Sequence, residues 1–215
     1  MVGDNMDGVT GFNPDKFKEQ VRYVYLEGTS ALSSIYGETD KLFTELSKTW
    51  YSPNALTFDI EYRQYVLDLI NNSAKVIIDF CKNAAAAYNV VAAANGYGPF
   101  SMDDACYECF SLAALKEVGP DGAVGMDLYR VKNAVNTFKL GIAFGLNKLV
   151  TIPSKIELYD PGSEQKKQYL ATLAIIKEQI SGDLYDMADK IKGYTETEIN
   201  HVFRAANTSA AILRG

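Results

Sequence analysis

The stretch Lys48-Thr49-Trp50-Tyr51-Ser52-Pro53-Asn54-Ala55 holds the only Trp of the chain and parts two long segments whose apolar residues recur at helical spacing. Two such helices with a short joint between them have few options: the joint is the tip of an αα-hairpin. Ser52 has the side chain of an N-cap and Pro53 suits the first helical position, since its φ is already helical and it has no N–H to lose. Trp50 at the bend can cover the open end between the two helices.

The first helix starts at Asn13-Pro14-Asp15, a cap, a first-position proline and an acid near the positive end of the helix dipole. Phe17, Val21, Val24, Gly28, Ala31, Ile35 and Leu42 form its buried face, and the helix is predicted over roughly Pro14 to Lys48. Gly28 and Gly37 each cost about 1 kcal/mol relative to Ala and allow a neighbour to come close. The second helix is predicted from Pro53 to about Ala94, with Ala55, Phe58, Tyr62, Val66, Leu69, Ser73, Ile77, Ala84 and Tyr88 inward. Gly96 then ends it in the left-handed conformation, before Gly98-Pro99. A connector follows, with Ser101 as cap, Asp103 and Asp104 in a first turn, a short helix through Leu112 and Leu115 to Lys116, and a turn at Gly119-Pro120-Asp121-Gly122.

A third helical pattern runs from about Asp127 through Val131, Val135, Phe138, Ile142 and Leu149 until Pro153. Leu158-Tyr159-Asp160-Pro161 then repeats the grammar of the first bend at an offset of 108 residues. At that offset Leu32 falls on Leu140, Tyr36 on Phe144, Gly37 on Gly145 and Leu67 on Ile175. The expected fold is all-α: two tandem long helical hairpins forming a four-helix bundle, with a short connector helix and a C-terminal helix. The boundaries expected are a flexible N-terminus over 1–12, a first hairpin over 13–96, a connector over 97–124, a second hairpin over 125–194 and a helical tail over 195–215. More than two-thirds of the residues should be helical, with no β-sheet.

A helical hairpin with a Trp at its bend, a small residue two positions on, a helix opening with Ala55 and Phe58, and Tyr88 about 38 residues after the Trp resembles the WXG100, or ESAT-6-like, superfamily. The resemblance covers about Pro14 to Gly96, and more weakly Asp127 to about Glu198. Here the bend reads Trp-Tyr-Ser where the family usually has Trp-X-Gly, Leu158 stands in place of a second Trp, and the chain is about twice the usual length. The resemblance implies a non-enzymatic protein that is a substrate or effector partner of a type VII (ESX-like) secretion system. Its partners would be proteins, either the secretion machinery or an effector, with homo-oligomers as a further possibility, and it would be made as a soluble cytoplasmic protein and exported without a cleavable signal peptide. The implied recognition residues are Trp50, Tyr51 and Ser52 at the bend and a Tyr-x-x-x-acid, for which Tyr194 to Glu198 and Tyr185 to Asp189 are the candidates. Each has a plainer reading: Thr195 and Glu198 have capping-box spacing, and Tyr185 with Asp189 suits a core Tyr beside a solvated acid.

Charge and composition exclude other classes. With 27 Asp plus Glu against 21 Lys plus Arg, the formal charge of -6 argues against nucleic acid or anionic lipid as the main partner. Residues 1–11 lack the order of a signal peptide, and no stretch reaches the roughly 18 to 20 apolar residues expected of a membrane-spanning segment. No cofactor and no metal site is expected. Cys106 and Cys109 have half-site spacing without a second pair, Cys81 and His201 lie far off in sequence, and Asp103-Asp104 point to different faces. Gly96-Tyr97-Gly98-Pro99 lacks the strand and helix of a phosphate loop. Gly141 and Gly145, four apart, read as a strip for close packing. A structural self-assembly subunit, such as a phage particle component, is the alternative function; a pore-forming toxin component lacks a strongly apolar hairpin.

Overall fold

The computed structural model describes residues 13–102, 110–154 and 164–214, with side chains except at 153–154, 164–166 and 201–214. Its elements are α1 (Pro14–Thr49), β1 (Trp50–Tyr51), α2 (Pro53–Asn95), β2 (Gly125–Met126), α3 (Leu128–Ser154) and α4 (Glu164–Arg214), with one 3₁₀ turn at Pro120–Gly122. The protein is all-α, 84% of the described residues being helical, well above the two-thirds expected.

The helix ends follow local chemistry. Asn13 Oδ1 accepts from Lys16 N at 3.0 Å and Ser52 Oγ from Ala55 N at 3.2 Å, so both expected N-caps form. Gly96 takes φ +70 and Tyr97 N reaches Ala92 O at 2.9 Å, the six-to-one bond of a Schellman end. Asp127, read in the sequence as helical, is instead the cap of α3, its Oδ1 accepting from Arg130 N at 3.1 Å.

Three expectations need correction. Residues 110–115 are not helical, because their backbone is engaged elsewhere: Leu115 N donates to the buried carboxylate of Asp59 at 2.9 Å, and Lys116 bridges to Tyr51. α3 reaches Ser154, one residue past Pro153, so its end falls where the proline was expected to set it. The C-terminal segment is not a separate helix. α4 runs unbroken through Thr195, whose hydroxyl donates back to Lys192 O at 2.6 Å and caps nothing. Finally, a small antiparallel pair exists, with Trp50 opposite Met126 and Tyr51 opposite Gly125. Cys106, Cys109, Asp103, Asp104, residues 1–12 and the second bend around Tyr159 lie outside the described residues.

The chain divides into two compact units, each taking a section of every long helix. In the first (Met1–Tyr36, Asp68–Phe110, Ala143–Ser181), Phe17 stacks on Tyr88 at 5.6 Å, Phe80 on Tyr169 at 3.8 Å and Tyr36 on Phe110 at 3.9 Å. Two glycines permit close approach here. A Cβ on Gly28 would stand 3.0 Å from Ile77 Cγ2, and one on Gly145 would stand 2.5 Å from Ile35 Cγ1 and 3.1 Å from Ala31 O. Gly37, in the second unit, has nothing near it, so close packing explains Gly28 and not Gly37. Cys81 is buried, and desolvation pushes its thiol up to about 12.

In the second unit (Gly37–Leu67, Ser111–Ile142, Gly182–Gly215), Phe43, Trp50, Phe58, Phe138, Ile142, Leu184 and Ile191 are buried. Phe58 sits 5.8 Å from Phe43 and 5.7 Å from Trp50. Gly141 admits the Glu38 side chain, which would stand 2.6 Å from a Cβ there, and Arg130 pairs with Glu45 at 2.7 Å, so α3 is fastened to α1 within this unit.

The residue pairs at the 108-residue offset do not share environments. Leu32 is fully buried while Leu140 is 78% exposed, and Leu67 is buried while Ile175 is 64% exposed. The register read from those pairs is therefore not one in which matched residues play matched parts. By length and composition α2 is the described helix that is long and apolar enough to cross a membrane, where the sequence reading expected none. Its Phe58, Val66, Ile70, Ile77 and Tyr88 face protein.

Candidate functional site

All the residues of the bend lie in the second unit, and α4 brings two more to them. Trp50 is fully buried, and its backbone is fixed twice, by pairing to Met126 and, next to it, by Asp127 N donating to Thr49 O at 2.8 Å. A buried indole N–H needs an acceptor. Trp50 Nε1 donates to Ser52 Oγ at 2.9 Å, two residues on.

Ser52 Oγ is the hub. It accepts from Trp50 Nε1 and from Ala55 N, and it donates to Glu198 Oε1 at 2.6 Å, so its one donor and two acceptor sites are all filled. Asn54 Nδ2 donates to the same Glu198 oxygen at 3.0 Å. These are charge-assisted bonds, stronger than neutral ones. They also explain the siting of the carboxylate: α2 has no acidic residue in its own first turn, and Glu198 supplies the negative charge that the N-terminal end of a helix favours. The arrangement is a lock.

The aromatic side of the site is Trp50 against Tyr194, ring centroids 5.5 Å apart and inclined by 50°. Desolvation, then the nearby Glu61 carboxylate, raises the Tyr194 phenol above its ordinary value. The same causes in the same order raise Tyr62, with Tyr194 and Asp186 adding to them. Both phenols stay neutral at physiological pH. Tyr51 is half-buried; a Cβ on Gly119 would lie 2.8 Å from its ring, so Gly119 is what lets the chain pass over it.

Of the residues expected at a recognition site, Trp50, Ser52, Tyr194 and Glu198 therefore meet, while the Tyr51 ring lies against Gly119. Glu198 closes no capping box; it reaches across to α2. Tyr185 and Asp189 go elsewhere: Tyr185 Oη donates to Lys139 O at 3.4 Å, and Lys139 Nζ pairs with Asp189 at 2.6 Å. Asp189 is held below the ordinary carboxylate range first by that Lys139 bond. The sequence reading missed Asn54 and Lys139. Asn54 could have been suspected as an amide in the first turn of a helix that lacks an acid there, whereas nothing local marks Lys139. His201 lies on α4 with its side chain outside the described set, and among the described residues no group of three His, Cys, Asp or Glu is placed to hold a metal ion. Comparison with protein-family models, curated proteins and solved structures finds no match to this chain.

Proposed function

We propose that this is a non-enzymatic helical protein of the WXG100 type, a substrate or effector partner of a type VII-like secretion system, whose bend and C-terminal Tyr-x-x-x-Glu form one bipartite recognition element. The observation carrying this reading is the meeting of Trp50 and Ser52 with Tyr194 and Glu198 in one molecule. The resemblance implies a Trp bend and a Tyr-x-x-x-acid used together, and a signal in two parts needs its parts held side by side. Between the two candidate motifs, this favours Tyr194 to Glu198, since Tyr185 and Asp189 are engaged by Lys139.

The architecture proposed with it is a bundle of two helical hairpins packed within one chain. Three residues join α1 to α2, and the pairs Phe43 with Phe58 in one unit and Gly28 with Ile77 and Phe17 with Tyr88 in the other have separations that grow away from Trp50, as antiparallel neighbours require. The second hairpin is proposed as cover for the first and not as its copy in register.

The test is export from a type VII-competent host beside a strain lacking the secretion ATPase, with wild type, Tyr194→Phe and Glu198→Gln. Export that needs the ATPase and is lost in a variant of unchanged melting temperature supports the reading. ATPase-independent appearance outside the cell, or full export of stable variants, overturns it. The self-assembly reading draws on a different observation, the exposure of Tyr129, Leu140 and Phe144 on α3, at 82%, 78% and 62%. A mass in solution of many copies, without export, would favour it.

A further inference from the structure

The turn Pro120-Asp121-Gly122-Ala123 in the second unit carries a reactive pair that the bend does not use. Ala123 N donates to Pro120 O at 3.0 Å, and the two residues between them have φ of 55 and 77, the left-handed pattern of a type I′ turn. Gly119 N closes the loop a second time, donating to Ala123 O at 2.8 Å. Residues 120–124 are all exposed, and a Cβ on Gly122 would meet nothing within 4 Å. Among the described residues nothing hydrogen-bonds to or pairs with the Asp121 carboxyl group.

We infer that Asp121-Gly122 is a site of spontaneous isoaspartate formation, and that the product loosens the strand pair fixing the Trp50 backbone. The Gly122 nitrogen attacks the side-chain carbonyl carbon of Asp121: an N–C bond forms, the C–OH bond breaks, and the amide proton leaves with the hydroxyl as one water. The product is a five-membered succinimide. Water then adds back, at the side-chain carbonyl to restore aspartate or at the main-chain carbonyl to leave the chain running through the side-chain carbon. Glycine in second place matters because it has no side chain to screen its nitrogen. The other described acid or amide before a glycine is Asn95, before Gly96, and there the amide is held in α2 by donating to Val91 O at 2.8 Å. Asp7-Gly8 lies outside the described residues.

Isoaspartate keeps the charge and mass of the chain but adds one carbon to the main-chain path. A turn closed by two hydrogen bonds within five residues cannot absorb that carbon and keep both. Gly119 at one end packs on the Tyr51 ring, and two residues past Ala123 begins β2, paired to Trp50 and Tyr51. The site is independent of the secretion reading.

The test ages the full chain in heavy-oxygen water and maps it with trypsin, which releases residues 117–130 as one peptide holding Asp121 and Asp127. Asp127, whose carboxylate caps α3 and which precedes Leu128, is the internal control. One heavy oxygen at Asp121 with none at Asp127, isoaspartate found there by a methyltransferase specific for that residue, and loss of both signals in Asp121→Glu are the expected results. Amide exchange across 50–51 and 125–127 should rise in the aged protein alone. No label at Asp121 in the time that converts a free peptide of the same sequence, or equal label at Asp127, overturns the site. Unchanged exchange in a converted sample overturns its effect on the bend.

Discussion

At the scale of single residues, what matters most is whether a polar atom has its partners. Ser52→Ala removes an N-cap, strands the buried Trp50 N–H and takes one bond from Glu198. A cap alone is worth about 1 kcal/mol, and an orphaned buried donor adds about 1 to 3. Ser52→Ala should therefore cost about 2 to 4 kcal/mol, readable as a lowered urea midpoint with an unchanged slope. The glycines make a paired prediction. Gly145→Ala would push a methyl into Ile35 and the Ala31 carbonyl and should lose about 1 to 3 kcal/mol. Gly37→Ala meets nothing and should gain up to about 1 kcal/mol from helix propensity. The caps at Asn13 and Ser52 were legible in the sequence because capping is decided within four residues. Glu198 was named through the family resemblance and not by a local signal, and its bond to Ser52 was not legible, because it spans 146 residues and a nearer partner, Thr195, had the right spacing.

At the scale of elements, α1 and α2 were readable almost to the residue, their buried faces being set by spacing alone. The short pieces were not: residues 110–116 look helical by composition and are drawn off that course by Asp59 and Tyr51. α4 is a 51-residue helix, and its stretch around 194–198 is fixed sideways by Trp50, Ser52 and Asn54. Glu198→Ala should raise amide hydrogen exchange from about Tyr194 onward while leaving exchange at 170–190 near wild type, measured by mass spectrometry on peptic fragments. Equal protection along α4 in both proteins would show that the lock does not hold this segment. Trp50→Ala removes a buried ring and the donor to Ser52, and should lose about 3 to 5 kcal/mol.

For the whole molecule, several groups keep their protons longer when folded. Cys81, pushed to about 12 by burial, and Tyr65, pushed to about 12 by its bond to Asp183, both lie above their ordinary values, and Tyr62, Tyr169 and Tyr194 shift the same way. A raised folded value means that the unfolded chain releases the proton first. The stability these groups contribute is complete below about pH 9, and it is lost as pH rises from there toward 12. Melting temperature should hold from neutral pH to about 9 and then fall. Tyr65→Phe should remove one late-titrating phenol from the absorbance at 295 nm, and loss of a phenol titrating near pH 10 instead would refute the Asp183 bond. None of this was legible from composition, because it depends on which phenols the fold encloses.

The 146 residues between Ser52 and Glu198 also set an order of events during synthesis. At about 5 to 20 residues per second, Glu198 leaves the ribosome roughly 7 to 30 s after the bend does. For that interval α2 has its hydroxyl cap but no anion at its positive end, and Trp50 has no Tyr194 ring beside it. The bend is finished only once α4 has been made. Since Trp50 is the only tryptophan, its emission in released chains truncated on either side of residue 198 would report that closure.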